Sequence, residues 1–186
     1  MTSKKRGWTD WLKIIIIILL VILFTRMFTF NPLIVEGPSM QPTLVNNDRI
    51  IVDKISLIFG KPDRFDIVVF HTTSKKNYIK RVIGLPGETI EYRDDQLYVN
   101  DTPIEEPFIA NKIENMPENA KYTTNFSLSE DIAGGYDKVP EGHVFVLGDN
   151  RPNSTDSRHL GFIPIEQITG IARFVYWPLE DFGVIE

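Results

Sequence analysis

Ser39 lies in Glu36-Gly37-Pro38-Ser39-Met40-Gln41-Pro42-Thr43-Leu44, where a turn-forming Gly-Pro precedes the hydroxyl and an apolar methionine follows it. Such a serine is a candidate nucleophile, but serines in turns also commonly bond their own backbone, and a structural turn is the competing reading. Gln41 stands where a Gly-x-Ser-x-Gly elbow has its second glycine, so an α/β-hydrolase nucleophile is not expected. A serine needs a base. His71, His143 and His159 fall singly on a strand end, a strand start and a loop, and none belongs to an HExxH pair. Lys80 lies in Asn77-Tyr78-Ile79-Lys80-Arg81-Val82-Ile83, followed by the turn Gly84-Leu85-Pro86-Gly87. Strand alternation puts Tyr78, Lys80 and Val82 on one face and Ile79, Arg81 and Ile83 on the other, so whichever face is inward draws one cation toward the core. A buried lysine can lose its proton while arginine stays charged, which makes Lys80 the candidate base. A solvated strand face is the competing reading. A third polar segment, Gly148-Asp149-Asn150-Arg151-Pro152-Asn153-Ser154-Thr155-Asp156-Ser157-Arg158, follows an apolar run. Counting from Asp149, the twelfth position is Leu160 and not the glutamate of a calcium loop, so no metal is expected.

These groups must be carried by the rest of the chain. It has 186 residues, no cysteine and a net charge of −5. Without cysteine there is no disulfide framework, no thiolate nucleophile and no Cys-ligated metal. Residues 1–30 carry Lys4, Lys5, Arg6, Lys13 and Arg26 against Asp10, a net charge of +4, which leaves −9 for residues 31–186. A body so acidic lacks the basic surface that nucleic-acid binding requires. Residues 14–24 are uninterruptedly apolar, with Trp8 and Trp11 just before them. A helix over residues 8–30 would reach roughly 35 Å, enough to cross a ~30 Å hydrocarbon layer. The competing reading is a cleaved secretory signal, but no small-x-small site follows Phe30. The positive-inside rule then makes residues 1–12 a cytoplasmic basic tail, 13–31 a single-pass transmembrane anchor, and 32–186 an extracytoplasmic body in the cell membrane.

In that body β-branched and aromatic runs alternate with Pro, Gly, Asn and Asp. Strands are expected over 49–55, 66–70, 78–83, 89–93, 96–99, 143–147 and 168–176, with a hairpin turning at Asp94-Asp95. Residues 101–140 differ in composition and read as an insertion of loops and short strands. Leu57, Ile58 and Phe59 are either core residues or a tip entering the bilayer.

Taken together, the segments Gly37–Leu44, Asp66–Phe70, Lys80–Glu88 and Gly148–Arg151 with Ser154, Asp156, Ser157 and Arg158 resemble the type I signal peptidases, membrane-anchored Ser-Lys proteases, in their short Gram-positive form. The resemblance implies a mainly β fold: an N-terminal transmembrane helix followed by an antiparallel β-sheet catalytic body with a small insertion. It also implies a serine endopeptidase that removes signal peptides from exported preproteins without any cofactor or metal. Ser39 matches the nucleophile, Lys80 the general base, Ser154 the serine that hydrogen-bonds and orients the lysine, and Asp156 with Arg158 a supporting pair. Gly37 stands where Gram-negative members have an oxyanion-binding serine, so backbone N–H groups of Ser39 and Gly37 are the expected oxyanion donors. The implied substrate cleft uses Val35, Glu36, Asn77 and Ile79. Implied partners are signal-peptide-bearing preproteins, the lipid bilayer and the secretion translocase. With an ordinary pKa only about one lysine in two thousand is neutral near pH 7, so the chemistry requires Lys80 to be buried. Two rivals stand beside this reading: a self-cleaving repressor-type Ser-Lys protease, which would carry a DNA-binding helical domain, and an anchored β-domain that binds partners without catalysis.

Overall fold

The computed structural model describes residues 7–72, 76–118, 120–132 and 135–185, with Thr9 and residues 22–31 described by their backbone alone. A helix, α1 (Trp8–Thr29), leads into the first strand of a large antiparallel sheet. That sheet contains β1 (Phe30–Ile34), β2 (Arg49–Asp53), β3 (Ile67–His71), β4 (Asn77–Gly84), β9 (His143–Leu147), β10 (Ile163–Pro164), β11 (Ile168–Trp177) and β12 (Gly183–Val184). Its spatial order is β1-β2-β11-β3-β4-β9-β10, with β12 beside β11. A smaller antiparallel sheet, ordered β7-β6-β5-β8, contains β5 (Ile90–Arg93), β6 (Gln96–Val99), β7 (Thr102–Ile104) and β8 (Phe126–Ser127).

Three apolar clusters hold the sheets together. Val68 and Phe70 of β3 pack with Val82, Val144, Val146 and Ile171 on one face of the large sheet. Ile67 and Val69 pack on the other face with Val35, Met40, Leu44 and Ile79. A third cluster joins Ile83, Phe145 and Leu147 to Ile90, Tyr92 and Leu97 of the smaller sheet. Burial on both faces explains why β3 reads as an unbroken apolar run. It also changes the expectation for β4. Both of its cations are buried, Lys80 at 3% and Arg81 at 1% exposure, because packed layers cover both faces of this inner strand.

Each strand expected in the body is present, displaced at its ends by no more than two residues. The hairpin turns where expected, with Arg93 paired to Gln96 and with Asp94 and Asp95 at φ of 51° and 62°. β1 is not among the strands read from the β-branched and aromatic runs; its Pro32 lacks a ladder donor, which an edge strand can spare. Residues 101–140 contain β7, β8 and the short helix α4 (Leu128–Asp131), and also α3 (Pro107–Glu114), a two-turn helix where only loops and strands were expected. Pro107 at its first turn and Ile109 buried beneath it account for its position.

Among the described residues no helix is long and apolar enough to cross a membrane. The anchor expected over 13–31 is thus not supported there. α1 has 22 residues, but its side chains are described only as far as Val21, short of the ~20 apolar residues that a span needs. Lys4, Lys5 and Arg6 of the expected basic tail lie outside the described residues.

Candidate active site

Ser39 sits in the β1–β2 connection, on a tight turn fixed from below. Met40 and Leu44 are fully buried, and the Gln41 and Leu44 amides donate to the carbonyls of Pro38 and Met40 at 3.1 and 2.9 Å. Gly37 opens the turn at φ +86°, a conformation that L side chains rarely adopt. Its amide donates to Asn46 Oδ1 at 2.8 Å. That corrects the expectation that Gly37 would supply an oxyanion donor, because its N–H is already committed to Asn46. Of the two expected donors, only the Ser39 N–H is left without an acceptor among the described residues.

Lys80 approaches from the open end of β4. Residues 77–80 pair with β3 on one side, whereas β9 joins the other side only from Arg81 onward, leaving that edge unpaired among the described residues. Lys80 Nζ lies 2.8 Å from Ser39 Oγ and donates to the Ile79 carbonyl at 2.8 Å. Burial lowers its pKa from 10.5 to about 8, against the opposing pull of the Asp156 and Asp149 carboxylates. At pH 7 roughly one lysine in ten is then neutral, about two hundred times the fraction for a free side chain. Strand alternation predicts that one of the two cations is drawn inward, and the burial of Lys80 removes the solvated-face alternative.

The loop after β9 encloses the pair. Asn150 donates its amide to the Ser39 carbonyl and its Nδ2 to the Pro38 carbonyl, both at 3.1 Å. Gly148 packs so tightly that a Cβ there would stand 2.5 Å from the Ser39 carbonyl oxygen and would clash with Ser154 Oγ. Asp149 is fully buried and grips Arg81 with both oxygens, at 3.0 and 2.8 Å, while Thr43 Oγ1 donates to it at 2.5 Å. Asp156 pairs with Arg158 through two 2.8 Å contacts and accepts the Gly148 amide at 3.1 Å. Burial pushes the Asp156 carboxyl up, but Arg158 and the Gly148 amide outweigh it and hold the pKa below 3.8.

Ser154 departs from expectation. Its Oγ is buried and has no hydrogen-bond partner among the described residues, so the bond to Lys80 is not made. It lies close enough to Asp156 to help hold that carboxyl down, but outside hydrogen-bond geometry. The Lys80 amine instead points at Ser39 and Ile79.

A cleft of about 930 Å³ opens over the dyad. Val35, Glu36, Asn77 and Ile79 all line it, as do Ser39, Lys80 and Ser154. Gly37 does not. Tyr78, between Asn77 and Ile79, lines it too, whereas sequence reasoning missed Lys76 and His159 on its walls, together with Thr43 and Asn150 behind Ser39. Thr43 and Asn150 stand inside the quoted motifs and were visible there, but nothing local marked what they would bond.

The chain matches the family described as "Signal peptidase, peptidase S26" over residues 8–177. It is 43% identical over 183 residues to signal peptidase I of Bacillus caldolyticus, covering 97% of this chain and 96% of that protein. With signal peptidase I T of Bacillus subtilis it shares 43% identity over 184 residues, covering 97% and 92% of the two chains. A crystal structure of a signal peptidase I from Enterococcus faecalis superposes with a TM-score of 0.58 at 46% identity, covering 60% of this chain and 97% of that one. A hydroxyl held against a buried amine, on a body of this fold and with relatives of this identity, has one reading: the chain belongs to the peptidase S26 family of signal peptidases.

Proposed function

We propose that this protein is a serine endopeptidase that removes N-terminal signal peptides from exported preproteins, with Ser39 as nucleophile and Lys80 as general base. The observation that carries this reading is the 2.8 Å contact between Lys80 Nζ and Ser39 Oγ at a lysine that is 3% exposed. Neutral Lys80 accepts the Ser39 hydroxyl proton as Oγ attacks the scissile carbonyl carbon. The oxyanion that forms meets the Ser39 N–H, and the Lys80 ammonium returns its proton to the departing amine as the C–N bond breaks. Lys80 then takes a proton from a water whose oxygen attacks the acyl carbon, and returns it to Ser39 Oγ as the ester C–O bond breaks. An extended substrate adds along the open edge of β4 at residues 77–79, with Val35 and Glu36 opposite and side-chain selection at alternate positions.

The reading includes a membrane-anchored enzyme with residues 1–12 cytoplasmic, 13–31 spanning and 32–186 extracytoplasmic, acting beside the secretion translocase. Three features support the anchor. The α1 backbone is helical for 22 residues, and its apolar side chains over 15–21 are all exposed, which water does not favour. The Phe30–Asp53 pairing also places the α1–β1 junction at the end of the sheet from which α2 (Ser56–Phe59) leaves, where Ile58 and Phe59 are 73% and 86% exposed. Incubating the purified protein with a preprotein and locating the cut by mass spectrometry tests the function. A cut at the signal-peptide junction that disappears in Ser39→Ala and Lys80→Ala supports it. No cut by the wild-type protein favours the non-catalytic β-domain.

A further inference from the structure

The loop that holds Ser39 is itself held from outside the large sheet. Arg151, 1% exposed, uses its whole guanidinium: Nε donates to the Gly148 carbonyl at 3.1 Å, Nη1 to Tyr92 Oη at 2.9 Å and Thr123 Oγ1 at 3.1 Å, and Nη2 to Glu106 Oε1 at 2.6 Å. Tyr92 Oη donates in turn to Glu106 Oε1 at 2.8 Å. One residue from Thr123, Tyr122 Oη donates to the Asp149 carbonyl at 2.9 Å. Residues 122 and 123 are fixed by the β5–β6 hairpin, where Asp95 accepts both of their amides, at 3.1 and 2.5 Å. Phe108 of α3 lies 3.8 Å from the Arg81 guanidinium, behind the ion pair with Asp149.

Glu106, Tyr122 and Thr123 thus all come from the 101–140 segment and converge on Asp149 and Arg151, while Phe108 of the same segment stacks on Arg81. The next link is direct. Gly148 packs against the Ser39 carbonyl, and the Asn150 amide donates to it. We propose that the 101–140 segment is a clamp for the nucleophile, in which Tyr122, Thr123 and Glu106 are positioning residues that fix the 148–151 loop and through it the place of Ser39 relative to Lys80. None of the three lines the cleft, so the clamp affects the rate of the chemical step and leaves substrate binding unaltered. The inference rests on the proposed peptidase activity.

The test measures kcat and KM of the full-length chain on one preprotein at a temperature well below unfolding. Tyr122→Phe and Thr123→Val each remove one hydroxyl without changing shape. The clamp predicts that kcat falls about tenfold in both with KM within twofold, because small misplacements of a nucleophile are costly. Thr123→Ser, which keeps the Oγ donated to by Arg151, should retain wild-type kcat. Glu106→Gln should lower kcat further, and if it fails to fold the two hydroxyl variants still decide the matter. Wild-type kcat in Tyr122→Phe and Thr123→Val, with only a lower melting temperature, would reduce the network to a structural one and overturn the proposal. So would a change confined to KM, or a Thr123→Ser loss as large as that of Thr123→Val. Failure of the wild-type chain to cut would instead reject the peptidase reading.

Discussion

Lys80→Met replaces the buried amine by an apolar chain of similar length, and its effect on stability follows from the pKa. In the folded protein Lys80 gives up its proton near pH 8, whereas the unfolded chain does so near 10.5. Between those values the unfolded state binds more protons, so the native state gains stability as pH rises through this window. At ~1.4 kcal/mol per pH unit, the full difference is about 3 kcal/mol, a cost present at neutral pH and relieved in alkali. Most of it, about 2.5 kcal/mol, falls between pH 7 and 10. Methionine has no such titration. The variant loses the hydrogen bonds to Ser39 and Ile79, at about 1 kcal/mol each, but that loss does not change with pH in this range. Urea unfolding of both proteins at pH 7, 8, 9 and 10, followed by circular dichroism, should therefore show the wild type gaining about 2.5 kcal/mol on the variant. A constant difference across those four values would mean that Lys80 keeps an ordinary pKa, and would refute the burial argument.

Three further outcomes are expected. Gly148→Ala would force a methyl group against Ser154 and the Ser39 carbonyl, so precursor cleavage should fall at least about 100-fold in a turnover assay. Ser154→Ala removes a buried hydroxyl that has no hydrogen-bond partner among the described residues, so its melting temperature in a thermal melt should hold or rise. The Asp156 carboxyl is held below 3.8, so its stabilisation is present above that value and lost as pH falls through the folded-state pKa; acid titration of Asp156→Asn should show a correspondingly shallower fall in stability below pH 4.

Much of this was legible because the relevant physics is local. Alternation found β4 and the faces of Lys80 and Arg81, and two acids between alternating runs found the hairpin at Asp94-Asp95. The candidate base emerged by chemistry, since of the two neighbouring cations only the lysine can become neutral in a dry site. What sequence could not provide is long-range. That both faces of β4 are covered depends on β9 and on the β1–β2 connection, more than 30 residues away in either direction. The Gly37 amide was assigned a chemical role until Asn46, nine residues on, proved to take it. Arg151 in a polar loop carries no mark of Glu106 or Thr123, its partners 45 and 28 residues earlier.

The central claim is that a neutral Lys80 activates Ser39. The pH dependence of kcat/KM for preprotein cleavage tests it most directly, because that profile reports the free enzyme's base. The activity should rise about tenfold per pH unit below a bend near pH 8 and level off above it, as the buried amine sheds its proton. A bend near 6.5, where an ordinary imidazole would act as the base, or a flat profile from pH 6 to 9 would contradict the lysine mechanism.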